Sequence, residues 1–375
     1  MRRARVAHCV STFEVGGIQS VVQALARAQV GEGMDVVVCA LGRTPRAYRC
    51  PEDDGVRYVE FGISGFRLVS GISAVARFLR NERIEVLHAH PGTLTRLAGI
   101  VAKVPVILAT LHGTWPNHNV ATRALHRFLA ARSTKLVANS NFTRGYYTAL
   151  LGLAEGHCLT IHNGIAICDS GLGPSHRQES RARFGLSNDA KVAAYVGRLH
   201  HEKGVDVLLR ASQDLAAAVA GFELIIAGDG PYQRELEQQV RAAGVEQRIH
   251  FLGALSDVRP VLQAADVVVA PSRREGFGLA VVEAMAFGLP VVGTRVGGIP
   301  EIVDENLTGL LVEPEDHEAL AQAIERILTD IDLASSLGAR GAQRAREKFC
   351  QKSMVDAYMR LYASLLASSR RSTLA

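Results

Sequence analysis

Val267-Val268-Val269-Ala270-Pro271-Ser272-Arg273-Arg274-Glu275-Gly276-Phe277-Gly278-Leu279-Ala280-Val281-Val282-Glu283-Ala284-Met285 is the stretch whose reading decides the fold. Its opening run is continuously apolar and β-branched, which predicts a strand over Val267–Pro271 covered on both faces. Two glycines then break the chain, and an apolar helix follows from about Gly278, predicted over Ala280–Phe287. A strand that turns through glycine into a helix is the repeating unit of a parallel α/β sheet. The first N–H groups of that helix have no intrahelical partners and the helix dipole is positive there. The carboxyl end of the strand is therefore suited to an anion. Glu275 precedes the helix and can reach hydroxyls beside such an anion. Glu283 lies about a turn and a half inside, where a carboxylate accepts from vicinal hydroxyls. The plainer reading makes both ordinary surface glutamates, but Glu283 sits in an otherwise apolar stretch, which places it toward the core or a cleft.

The same unit recurs upstream. Tyr195-Val196-Gly197-Arg198-Leu199-His200-His201-Glu202-Lys203-Gly204 is a strand end, a glycine turn and the approach to a helix near Val205. Two cations on one turn suit a diphosphate. Each alone reads as a surface charge; their pairing between Gly197 and Gly204 favours the functional reading. Gly228-Asp229-Gly230-Pro231 is a further glycine turn, weak by itself. In Phe13-Glu14-Val15-Gly16-Gly17-Ile18-Gln19 the paired glycines open a helix and allow close approach of a ligand. No G-x-G-x-x-G follows any predicted strand, which disfavours a nicotinamide dehydrogenase. His112, in Thr110-Leu111-His112-Gly113-Thr114-Trp115, ends a strand and is placed to point into an interdomain cleft; a structural histidine is the even alternative. His88 and His90 are expected to pack or to line an acceptor side. Asp330-Ile331-Asp332 reads as a solvated helix end and not as a metal site.

Outward from these motifs, short apolar runs alternate with helical stretches along the whole chain. Strands are predicted at Val6–Val10, Asp35–Leu41, Arg57–Phe61, Glu85–His90, Val106–Leu111, Leu136–Asn139 and His157–Ile161. A second series covers Lys191–Val196, Glu223–Ala227, Ile249–Leu252, Val267–Pro271, Val291–Gly293 and Gly309–Val312. Helices include Ile18–Val30, Ser73–Asn81, Val205–Ala220, Gln233–Ala243, Val258–Ala264, His317–Thr329 and Lys352–Ala367. This is an α/β chain with two doubly wound parallel sheets. The Gly-, Ser- and Pro-rich stretch at 165–183 marks the boundary, giving domains 1–168 and 169–350, then a terminal segment 351–375.

A chain of 375 residues with 48% hydrophobic and 21% charged residues suits two soluble domains. Scattered cysteines, with Cys9 and Cys39 in apolar runs, read as reduced core thiols of a cytoplasmic protein. No run approaches the roughly 18 apolar residues of a membrane span. Residues 1–170 carry 19 Lys and Arg against 11 Asp and Glu, whereas the remainder carries 23 against 26. A basic first half favours an anionic acceptor or an anionic membrane surface, with Arg67, Arg77, Arg80 and Arg83 as the membrane-side candidates; solvated arginine faces are the bland alternative.

Together, Gly197-Arg198-Leu199, Glu202-Lys203-Gly204, Gly228-Asp229-Gly230-Pro231 and the Glu275–Glu283 pair resemble the GT-B-fold retaining glycosyltransferases of glycosyltransferase family four, the glycosyl transferases group 1 domain. Gly16-Gly17, His88-Ala89-His90, His112-Gly113 and Asn163-Gly164-Ile165 are similar to its looser N-terminal pattern. The resemblance implies two Rossmann-like domains facing across a cleft, with a nucleotide-sugar donor in the C-terminal domain and an acceptor in the N-terminal one. The last helix would cross back to the N-terminal domain, and the linker would hinge the closure. Arg198 and Lys203 would bind the donor diphosphate and stabilise the departing nucleotide. Glu283 would hold the ribose and Glu275 the donor sugar. The amides of Phe277, Gly278 and Leu279 would meet sugar or phosphate beside Gly197. Leu252 would stand near the base. Gly16 and Gly17 would approach the diphosphate from the opposite domain, and His112 would contact the sugar and the reacting centre. Neither metal nor cofactor is implied, nor any nucleic acid. The expected partners are a uridine or guanosine diphosphate sugar and a sugar, lipid or metabolite acceptor. The rival readings are a phosphorylase or a sugar-nucleotide epimerase on the same scaffold, and a non-catalytic binding partner.

Overall fold

The computed structural model describes residues 3–13, 16–44, 55–63, 68–90, 92–114, 119–166 and 174–374. Glu14, Val15, Arg67, Trp115 and the 167–173 part of the expected linker lie outside them. The chain divides into two compact units, Met1–Gly164 with Gln351–Ala375, and Ile165–Cys350.

The first unit runs β1 (Arg5–Val10), α1 (Gly17–Gly31), β2 (Asp35–Ala40), β3 (Arg57–Glu60), α2 (Leu68–Asn81), β4 (Val86–Ala89), α3 (Thr93–Ala102), β5 (Val106–Leu111), α4 (Val120–Arg132), β6 (Lys135–Ala138), α5 (Asn141–Leu151) and β7 (Cys158–Thr160). The second runs α6 (Pro174–Arg183), β8 (Lys191–Val196), α7 (Val205–Ala218), β9 (Phe222–Ala227), α8 (Gln233–Ala243), β10 (Ile249–Gly253), α9 (Arg259–Ala264), β11 (Val267–Ala270), α10 (Leu279–Ala286), β12 (Val291–Thr294), α11 (Ile299–Ile302), β13 (Leu310–Val312), α12 (His317–Thr329) and α13 (Ile331–Lys348). The last helix, α14 (Gln351–Leu374), belongs to the first unit.

The strand order is β3-β2-β1-β4-β5-β6-β7 in one sheet and β10-β9-β8-β11-β12-β13 in the other, with every named pairing parallel. Each order reverses once, between β1 and β4 and between β8 and β11. Ligands of such sheets collect beyond the strand carboxyl ends at that reversal. The apolar strands carry no hydrophobic alternation because both faces are covered. Ala193, Tyr195, Leu224, Ile226, Val267 and Val269 enter one core, while Val192, Ala194, Ile225, Ala227 and Val268 enter the core on the opposite face.

Helix α14 turns Met354, Tyr358, Tyr362 and Leu365 into the core shared with Val21, Val22 and Leu25 of α1. Their spacing of four, four and three is one helical face. Three elements differ from the sequence expectation. Helix α2 begins five residues before Ser73, and α14 continues past Ala367. Asp330 caps the start of α13, accepting from the Leu333 amide at 2.9 Å, so it begins a helix as well as ending one.

Candidate functional site

In the second unit, the two strands at the sheet reversal bring the main motifs side by side. After β8 the chain turns at Gly197 and places Arg198 on the surface, with no ion pair among the described residues. Lys203 ends a short 3₁₀ turn, and α7 starts behind Gly204. After β11 the loop carries Glu275, and α10 starts behind Gly278. The Lys203 ammonium meets the Glu275 carboxylate at 2.6 Å across the reversal. Both groups are about four-fifths shielded, so the pair is stronger than an exposed one yet still within reach of a ligand.

The glycines hold these loops against one another. A Cβ on Gly228 would stand 1.8 Å from the Gly197 carbonyl, one on Gly230 2.2 Å from that of Leu199, and one on Gly204 2.0 Å from that of Pro271. A Cβ on Gly297 would stand 1.7 Å from the Glu275 carbonyl, and the Gly298 amide donates to that carbonyl at 3.3 Å. Gly204, Gly228, Gly230 and Gly297 also have positive φ. Glycine here serves loop-on-loop packing first.

Further polar bonds set the frame. Thr294 Oγ1 donates to the Ser272 carbonyl at 2.6 Å, and Tyr195 donates its hydroxyl to the Arg198 carbonyl at 2.9 Å. Arg273 forks onto Asp206 with both contacts at 2.7 Å, and Arg274 pairs with Glu202 at 2.7 Å. These two arginines tie the β11 loop to the β8 loop and leave Arg198 and Lys203 as the cations facing the reversal. Gly297-Gly298, Ser272, Thr294 and the Arg273–Asp206 pair were missed by the sequence reading. A Gly-Gly just after β12 is the same signal as Gly16-Gly17 and marks the first of them.

Glu283 lies on the first turns of α10 with no side-chain hydrogen bond among the described residues, and burial pushes its carboxyl up to about 7. Phe277 points its ring into the core against Phe349, so only its backbone can serve the site. Leu279 is partly buried at the head of α10. Leu252 stands farther off, at an irregular register on β10, two strands from β8.

In the first unit, Gly16 caps α1 and Gly17 opens it, beyond the end of β1. His112 follows β5. Behind it lies a layer of histidines: His8, His88 and His90 are fully buried. His88 and His90 thus pack within the unit. Burial keeps His8 and His112 down at about 4 and, with the neighbouring rings, holds His88 and His90 well below the ordinary histidine range, so all four rings are neutral at pH 7. His8 Nε2 meets Gln29 Oε1 at 2.8 Å, His8 Nδ1 meets His90 Nε2 at 3.1 Å, and His90 Nδ1 meets His112 Nε2 at 3.3 Å. With the Gln29 amide oxygen set toward it as acceptor, which leaves Gln29 Nε2 buried without a partner among the described residues, His8 carries its hydrogen on Nε2, and the order propagates. His90 and His112 then also carry theirs on Nε2, which leaves His112 Nδ1 as an acceptor. His88 is held separately by the Tyr362 hydroxyl at 2.5 Å and Thr110 Oγ1 at 2.6 Å. The three buried histidines converge closely enough to hold a metal ion. Every one of their ring nitrogens already has a hydrogen-bond partner, however, and among the described residues no carboxylate joins them. Among the described residues no helix is long and apolar enough to cross a membrane.

The structure thus gathers Gly197, Arg198, Lys203, Glu275, Phe277, Gly278, Leu279 and Glu283 at one sheet reversal. Gly16, Gly17 and His112 follow strand ends of the other sheet. Residues 176–344 match the family described as glycosyl transferases group 1, and residues 15–167 match glycosyltransferase family 4. The D-inositol 3-phosphate glycosyltransferase 1 of Catenulispora acidiphila is 31% identical over 76% of this chain and 73% of its own. The N-acetyl-alpha-D-glucosaminyl L-malate synthase of Bacillus anthracis is 28% identical over 80% and 79%. Among solved structures, Anabaena Alr3699/HepE in complex with UDP and glucose superposes with a TM-score of 0.86 at 22% identity, covering 96% of this chain and 100% of that one. The two parallel-sheet, Rossmann-like units are those of the GT-B fold, and the chain belongs to the glycosyl transferases group 1 family, glycosyltransferase family 4, as an enzyme of the hexosyltransferase type.

Proposed function

We propose that the protein transfers a hexosyl group from a nucleoside diphosphate sugar to an acceptor hydroxyl, without a metal and with retention at the anomeric carbon. The observation that carries this is the Lys203–Glu275 contact at the β8/β11 reversal, beside Arg198 and Glu283, which have no side-chain partner among the described residues. Arg198 and Lys203 supply two cations for the diphosphate, and they stabilise the charge that develops on it as the glycosidic bond breaks. Glu283 accepts from the ribose hydroxyls. Glu275, released from Lys203 as the phosphate takes the ammonium, accepts from hydroxyls of the sugar. The helix start behind Gly278 offers its amides to the same ligand. The leaving diphosphate takes the proton of the attacking hydroxyl on the same face of the sugar, which retains the configuration. His112, with Nδ1 as acceptor, orients a sugar hydroxyl. A relative is solved with UDP and glucose, which supports a uridine donor.

The test is incubation with UDP- and GDP-sugars and simple acceptors in the presence of a chelator, with NMR of the product. Release of the nucleoside diphosphate together with an axial-linked product from an axial donor is expected. An inverted product, strict metal dependence, or sugar phosphate released from a glycoside with no nucleotide would each sink the proposal.

A further inference from the structure

Arg96 is 7% exposed, and among the described residues the group that faces its charge is the Tyr147 hydroxyl. Its Nε is fully shielded and has no acceptor, and among the described residues no carboxylate acts on its guanidinium. Burial brings it down to about 10, so it remains charged at neutral pH. A buried cation without a counter-charge is costly, and removing the charge or supplying an anion relieves it.

The surroundings supply room for that anion. Arg96 lines a cavity of about 240 Å³ within the first unit, together with Ser11, Thr93, His112 and Tyr147. The start of α3 opens onto the same cavity through Gly92 and Thr93. This helix has no acidic residue in its first turn and its N-cap, Gly92, supplies no side chain, so no carboxylate of its own first turn offsets the positive end of the helix dipole. The guanidinium and the helix start are independent features, and both call for an oxyanion.

We propose that this cavity is an acceptor subsite in which Arg96 binds an oxyanion, the phosphate ester or carboxylate of the acceptor, beside His112. The acceptor role rests on the proposed glycosyl transfer; the anion site itself does not. The excess of Lys and Arg over residues 1–170 brings such acceptors toward this unit.

The test uses thermal unfolding of the Lys203→Ala protein, in which the donor phosphate site is disabled. Inorganic phosphate, malonate and sodium chloride are compared at equal ionic strength. Phosphate or malonate raises Tm by about 2–4 °C while chloride does not, and the stronger of the two names the oxyanion. Arg96→Met in the same background keeps its far-ultraviolet circular dichroism, unfolds no lower than its parent without anion, and loses the response. If Arg96→Met fails to fold, Arg96→Lys is used and responds at least fivefold more weakly, because it lacks the planar fork. No shift in the parent, or an undiminished shift in the Arg96 variant, overturns the proposal. Nucleotide shifts of the wild-type protein are read alongside. A nucleotide shift without an anion shift removes this inference alone, and an anion shift without any nucleotide shift removes the glycosyltransferase reading alone.

Discussion

A half-buried carboxyl with no side-chain partner among the described residues holds its proton to higher pH than a free one, and Glu283 is such a group. Its folded value of about 7 lies above the ordinary 4.5, so the protonated form favours the fold. That contribution is full below the ordinary value and is lost as pH rises through about 7. Ribose hydroxyls donate to the ionised form, so nucleotide affinity should tighten about tenfold between pH 6 and pH 8. Calorimetric titration checks this, with Glu283→Gln expected to flatten the profile; a pH-independent affinity in the wild-type protein would exclude the ribose role. Glu283 was legible as a polar residue in an apolar helix. The histidine layer was legible only in part. His88-Ala89-His90 and Thr110-Leu111-His112 show the period of two that puts side chains on one face. Their partners Gln29, Tyr358 and Tyr362 come from α1 and α14, and tertiary packing alone brings them in.

At the scale of elements, the loops after β8, β9, β11 and β12 act as one stack pinned by glycine. Gly297→Ala should cost about 2–4 kcal/mol in urea unfolding, since its Cβ would meet the Glu275 carbonyl and its φ is +58°. Gly244→Ala, at a helix end with φ +68° and nothing within 4 Å, should cost only about 1 kcal/mol. Equal costs would show that the stack is not held by close backbone approach. The strands were legible because parallel sheets demand continuous apolar runs, and their bounds fell within a residue or two. Helix α13 was not named from sequence: its buried face is Leu337, Gly338, Gly341, Ala342 and Ala345, small residues that give a faint hydrophobic period. The Arg273–Asp206 pair was hidden for another reason, since 67 positions separate its partners.

For the whole molecule, the two units should answer acid in opposite ways. The first holds His8 and His112 at about 4, so the unfolded chain binds more protons between there and 6.5. Its stability is full above 6.5 and falls as pH drops toward 4, whereas Glu283 makes the second unit gain over 7 to 4.5. Differential scanning calorimetry from pH 7.5 to 5 should show one transition moving down relative to the other; parallel movement of both would contradict this. The return of α14 to the first unit came from family resemblance, and the structure gives its cause in Met354, Tyr358, Tyr362 and Leu365. The central claim is that a nucleoside diphosphate sits at the β8/β11 reversal between Arg198 and Lys203. It is tested most directly by thermal unfolding with uridine, guanosine and adenosine diphosphates and their sugar conjugates, beside Lys203→Ala. One nucleotide class should raise Tm by several degrees in the wild-type protein and leave the variant unmoved. No shift with any nucleotide, or the same shift in Lys203→Ala, would contradict the account.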